Sequence, residues 1–487
     1  MPPLSFAAKL VVGTIAGLFG ILAAIMITYV DKRTIYWIRV NILHEKRGRP
    51  PTGGRSPLIW GLFIVSAVIA AGGTAIVAAA SSPTELAQST QTPTYTSNVI
   101  QTLTPSSSLV PTQPQAAFPV PVITQVAKGF DTAGYGKLTS LVRDSQGNLT
   151  LFVRDLSGQL AFMQSSDGAK TWSAPNYFFQ TSPPGTSMVS SVVDSADQIH
   201  IVWGRVPDAS DVHYGLLIGQ KWSVQDQIVG TGSFARDIAV DSANHPHIVW
   251  SGIGIFHISY DGLNWIEPPD SVLPVGWHPD IQIDADDKVL LFLNDSQFYP
   301  SPGASVYEID NIGGHWNNPV KLSTSPFWSG GAAAALDSQD NIYVTWMGAT
   351  TANGGQDQVF FSRFVNGQWQ SPFPIGNVNT SAGSTGQESP SVAFDSNNVF
   401  YVFWRGLNSD NHPVIFARAL VTEDNSNSTV TAGWSPTIEL RATDASNVGW
   451  PSVADVWHKN RTLGVDLVWS ATVGKDKVVE YAHVKYP

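Results

Sequence analysis

Three arginines stand at matching places in a repeating pattern: Arg154, Arg205 and Arg405 each directly follow the residue that ends a second apolar segment. Guanidinium forks grip carboxylates bidentately, so a converging set of them would hold an acidic group. Solvated rim positions are the simpler reading of them. Glu388 has the chemistry of a general acid or nucleophile for glycoside hydrolysis, but spacing pairs no second carboxylate with it. Asp284-Ala-Asp286-Asp287 offers oxygens that a calcium ion accepts, yet it lacks a full ligand loop and reads as a solvated turn. Phe234, Trp277, Trp328 and Trp450 precede apolar segments in four different repeats, accompanied by Arg236 and His278. Flat rings with a few polar groups stack on sugars or anchor a protein partner, or simply plug a channel mouth. No phosphate-binding glycine loop, zinc-ligand spacing or nucleophile elbow stands out, so neither cofactor nor metal is expected.

The elements that must position these residues come from a repeat. Six segments share an apolar strand, an Asp, a polar turn and a second apolar strand, with the Asp at 144, 194, 241, 284, 337 and 395. Nine residues after each Asp stands Val153, Trp203, Trp250, Leu293, Trp346 or Trp404. A seventh, divergent copy runs from Pro451 to Trp469 with a longer turn. The copies lie 43–58 residues apart, the period of a four-stranded propeller blade. In the first six copies a third strand then leads through a Gly/Asn turn to a Trp and a fourth strand. The seventh copy ends after its third strand, and Phe118–Val126 resembles the fourth strands elsewhere. The expectation is an all-β, seven-bladed propeller whose first strand completes its last blade, with six blades as the alternative. Repetition makes the six Asp residues turn formers, through Asx-turns, and makes the recurrent tryptophans packing between blades.

One turn carries a family resemblance. Ser165-Ser-Asp167-Gly168-Ala-Lys-Thr171-Trp172 resembles the Asp-box, Ser-x-Asp-Gly-Gly-x-Thr-Trp, of the sialidase-like propellers, with Ala169 where the second Gly would stand. Ser259-Tyr-Asp261-Gly262-Leu-Asn-Trp265 is similar with one residue missing. The resemblance covers roughly residues 118–487 and implies a blade type, with the box on the turn between third and fourth strands, away from the ligand face. It implies fold rather than chemistry. True sialidases have six blades and an arginine in an Arg-Ile-Pro-like motif ahead of the first. The nearest string here, Arg205-Val206-Pro207, follows a second strand instead, so no catalytic residue carries across.

Composition sets the surroundings. From Phe118 onward there are 19 Lys/Arg against 35 Asp/Glu, a net of −16, which repels phosphate backbones and makes nucleic acid an unsuitable partner. Cysteine is absent, so there is no disulfide or thiolate chemistry. Residues 6–30 and 58–80 are apolar and long enough to cross a bilayer as two helices. The loop between them, 31–57, carries seven Lys/Arg and is expected to be cytoplasmic, which places the N-terminus and everything after residue 80 outside. Residues 81–117 are a Ser/Thr/Pro-rich stretch with one charge, expected to be a disordered stalk.

The sequence therefore predicts a two-pass protein of the cell membrane, with 1–80 as anchor, 81–117 as stalk and 118–487 as propeller. The bilayer is one partner, and a glycan or an extracellular protein is the other. The leading function is a non-catalytic binding module. A sialidase-like exo-glycosidase and a structural subunit of a larger membrane complex are the alternatives.

Overall fold

The computed structural model describes residues 119–487, apart from 135–137, 179–185, 206–210, 232–235, 253, 267–270, 296–303, 313, 326, 350–356, 378–389, 422–432 and 442–444. The expected anchor and stalk lie outside the described residues. Among those described, no helix is long and apolar enough to cross a membrane.

The strands form seven sheets, so the seven-bladed count holds and the six-bladed alternative does not. Each blade is built from consecutive antiparallel strands, as the short polar turns dictate. The last blade borrows its outer strand from the start of the domain. Ile123–Lys128 pairs antiparallel with Asp476–Val484, Ile123 opposite Ala482 and Lys128 opposite Val478. The donor is that expected from the sequence, displaced a few residues toward the C-terminus. The chain then turns at Gly129, whose φ of +83° favours glycine, and Phe130–Thr132 joins the second strand of blade one. A second link runs the other way, since Asp455–Val456 of blade seven pairs parallel with Val142 and Arg143 in blade one.

The recurrent residues do the packing. Trp203, Trp346, Trp404 and Trp469 are fully buried. Trp203 packs in one cluster with Phe152, Phe162 and Phe178 of blade one. Trp404 of blade six lies so close to the fourth strand of blade five that a Cβ on Gly376 would stand 2.3 Å from its ring. Each blade thus buries its apolar face against the next, which no blade could do alone.

The six Asp residues are turn formers. In every case one side-chain oxygen accepts the amides two and four residues on, as Asp144 does from Gln146 and Asn148 at 3.0 and 2.8 Å. The turn also links blades. The amide after each Asp donates to the side chain at the third turn position of the following blade: Ser145 to Asp197, Ser195 to Asn244, Ser242 to Asp287, Ala285 to Asp340 and Ser338 to Asn398. Those acceptors all have φ between 54° and 65°, where Asn and Asp are the side chains best tolerated. The series ends at Ser396, which donates to the carbonyl of Thr462 because blade seven has the longer turn. An inner ring of bonds surrounds the axis as well. Asp237 takes the amide of Ile281, Asp280 that of Ala334, Ser391 that of Val453 and Ser452 that of Ser140.

The two box-like turns join third to fourth strands. Asp167 accepts the amides of Lys170 and Thr171 at 3.0 Å and the Thr171 hydroxyl at 2.6 Å, and these bonds hold its carboxyl down at about 2. The Ser165 hydroxyl accepts the Ala169 amide, Gly168 and Ala169 both have positive φ, and Trp172 packs edge-on to Tyr481. Ala169 adopts at 65° the conformation that glycine would take freely. At the shorter turn, which Ser259 precedes at the end of the strand Ile255–Tyr260, Asp261 accepts the amides of Leu263 and Asn264. Gly262 has a φ of 90°, and Trp265 meets Tyr214 of blade two.

Candidate functional site

Among the described residues, a cavity opens at each end of the propeller. The larger, about 660 Å³, lies around the axis at the end that carries the Asp turns. Across it runs the long turn of blade seven. Trp457 packs against clusters of blades one to three, the Arg461 guanidinium donates to the Leu336 carbonyl of blade five at 3.0 Å and lies 5.7 Å over the Phe394 ring of blade six. Asp455 is half-buried and takes the Val193 amide at 2.9 Å, and desolvation pushes its carboxyl up to about 6. These groups are engaged in holding the turn across the ring.

The smaller cavity, about 260 Å³, lies on the face with the loops between second and third strands and those that precede first strands. This is the face the sequence marks for a ligand. Arg154 projects from the end of Leu149–Asp155 in blade one, and Arg405 from Val399–Leu407 in blade six. Trp450 stands between Ala445–Val448 and Ser452–Val453, two short strands of blade seven, and Lys477 is the second residue of that blade's strand Asp476–Val484. Arg405 is held by the Val448 carbonyl at 2.7 Å and Asn447 Oδ1 at 3.3 Å, with its guanidinium 5.7 Å above the Trp450 ring. Stacking of this kind fixes a cation without neutralising it. Arg154 donates to Asp131 Oδ2 at 3.3 Å, and Lys477 Nζ stands 4.0 Å from the same oxygen. Among the described residues of the lining, Asp131 is the one carboxylate against three cations. In a domain of net −16 this is a local reversal of sign, with an aromatic ring at its edge.

Arg205 ends the strand Gln198–Arg205 of blade two, and its side chain is outside those described. Phe234 and Glu388 lie outside the described residues. Arg236 is 3% exposed, so close to Gly204 that a Cβ there would meet its guanidinium, and burial lowers it to about 10. Trp328 is also 3% exposed and packs in the core with Met347, Val359 and Phe361, so its ring is turned away from any solvent ligand. Trp277 and His278 are half-buried at a bulge that opens the first strand of blade four, with His278 at a φ of 51°. The cavity thus brings together Arg154, Arg405 and Trp450, and adds Asp131 and Lys477, which sequence reasoning did not select. Their available signal was position alone: one follows the ring-closing strand, and the other is the second residue of a third strand.

No family model matches the chain, and no curated protein does. Similar solved structures include an ulvan lyase from a new family of polysaccharide lyases, 11% identical over 74% of this chain and 96% of that one, with a TM-score of 0.50. A lectin from Burkholderia pseudomallei is 14% identical over 75% and 99% of the two chains, at a TM-score of 0.48. A protein of unknown function from Dyadobacter fermentans is 12% identical over 76% and 99%, at 0.45. At such identities the likeness is one of fold, the β-propeller.

Proposed function

We propose that the chain is a membrane-tethered, extracytoplasmic propeller that binds acidic glycans without transforming them. The observation that carries this reading is the gathering of Arg154, Arg405 and Lys477 with the Trp450 ring around one cavity of about 260 Å³. A volume near the lower end for small-ligand sites suits a single sugar unit with its neighbours extending into solvent. A ring face takes the apolar side of a pyranose, and guanidinium forks take a carboxylate or sulfate. A polysaccharide lyase on a similar fold is a precedent for carbohydrate at a propeller, although fold alone assigns no activity. The described lining collects cations and one half-neutralised carboxylate, a set fitted to holding an anion rather than to two-carboxylate hydrolysis.

The test is calorimetric binding of uronate oligosaccharides selected on a glycan array. Trp450→Ala is expected to weaken binding at least tenfold, about 1.4 kcal/mol. Equal affinity of wild type and variant would remove the pocket from the account. The tether is supported by the two apolar stretches and the basic loop between them. In intact cells or spheroplasts, external protease is expected to cut the chain between residues 81 and 117 and release the propeller. A propeller that survives externally added protease but is released after lysis would place it in the cytosol.

A further inference from the structure

Asp131 reaches the pocket by an unusual route. The strand Ile123–Lys128 closes blade seven, the Gly129 amide donates to the Lys477 carbonyl at 2.8 Å, and the next three residues cross to blade one. There Asp131 stands directly opposite Arg154 in the ladder. The crossing carries one carboxylate to the point where two cations of different blades converge, Arg154 at 3.3 Å and Lys477 at 4.0 Å from a single oxygen. All three side chains remain partly open to solvent, at 26% for Asp131, 35% for Arg154 and 42% for Lys477. Such pairs are weak and exchange readily with other anions. Arg405 stands apart from this trio, bonded to the Val448 carbonyl and to Asn447 Oδ1.

We propose that Asp131 is a built-in competitor that occupies Arg154 and Lys477 and sets how strongly the pocket prefers anionic over neutral sugars. The proposal rests on the reading of this pocket as a glycan site. An incoming carboxylate or sulfate must displace Asp131 to reach Arg154 and Lys477. Removing the Asp131 charge leaves the cations in place and abolishes the competition. The gain is confined to anionic ligands, because a neutral sugar on the Trp450 ring has no use for the freed cations. It fades with added salt, as an exposed electrostatic effect must.

The experiment compares wild type, Asp131→Asn, Asp131→Ser and Asp131→Glu in the full chain, each checked for an unchanged melting temperature. The probes are a galacturonate tetrasaccharide and its carboxyl-reduced counterpart, titrated at low and at high salt. The expected result is a three- to tenfold tighter binding of the uronate by the Asn and Ser variants, in line with roughly 1 kcal/mol for an exposed pair. Affinity for the reduced sugar stays as it was, and Asp131→Glu behaves as wild type. If wild type and Trp450→Ala differ in binding but the Asn and Ser variants match wild type or bind the uronate more weakly, the competitor role is overturned while the glycan site stands. If both sugars tighten alike, Asp131 shapes the pocket instead of guarding its charge, and the proposal fails. If none of the chains binds either sugar, the glycan reading falls and takes this inference with it.

Discussion

Deleting Ile123–Lys128 from the full chain is expected to lower the stability of the propeller by about 3–7 kcal/mol and to make it self-associate. The estimate follows from the ladder it removes. Five register pairs join this strand to Asp476–Val484, and each hydrogen bond contributes roughly 0.5–1.5 kcal/mol. The deletion also uncovers Val478, Val479 and Ala482, all now fully buried, beside a row of unpaired amides. An exposed edge of that kind is a template for pairing with another chain. Urea unfolding gives the first effect and size-exclusion chromatography the second. The parallel link between blades seven and one remains in the deleted chain, so partial folding is compatible with the expectation. A monomer with an unchanged urea midpoint would show that the strand does not close the ring.

The second large effect is placed at the same seam, at Asp466. Its two oxygens bind Arg143 Nε of blade one at 2.6 Å, the Tyr481 hydroxyl at 2.5 Å and His483 Nδ1 at 2.9 Å. Asp466 is about 2% exposed and Arg143 14%. Asp466→Ala leaves a largely buried guanidinium without its counter-charge, a change that costs about 3–5 kcal/mol. The same residue gives stability a pH signature. Burial raises its carboxyl, but the hydrogen bonds from His483 and Arg143 and the charge of Arg143 outweigh that and depress it to about 2. An unfolded Asp titrates near 4, so the carboxylate stabilises the fold above that pH. The contribution, on the order of 2.5 kcal/mol, drains away as pH falls from about 4 through about 2. Urea midpoints measured between pH 5 and pH 2 are expected to fall in wild type more steeply than in Asp466→Asn. Parallel slopes in the two proteins would contradict the assignment.

Much of the architecture was legible because its physics is local. An Asp that satisfies its own turn leaves the same mark in six blades, and so does the apolar residue nine places later. The incomplete last copy announced the donated strand. The pocket was less legible for the opposite reason. Asp131 and Lys477 meet only because the ring brings the two ends of the domain together, and nothing near either residue records the other. Trp328 and Trp450 occupy similar places before a first strand, yet one fills a gap beside Met347 and Phe361 and the other borders a cavity. Local pattern cannot separate them, since the difference lies in the volume left by residues of other strands. Arg154 and Arg405 likewise share a cavity although far apart in sequence, because blades one and six flank the seam.

The most direct examination of the binding site is an indole N–H spectrum of the full chain, titrated with a uronate oligosaccharide and with the Trp450 signal assigned from Trp450→Phe. The Trp450 resonance is expected to shift in a saturable way while those of buried Trp203, Trp346 and Trp404 stay fixed. A saturable shift of the Trp277 signal with Trp450 unmoved, or no shift at all at saturating sugar, would contradict it.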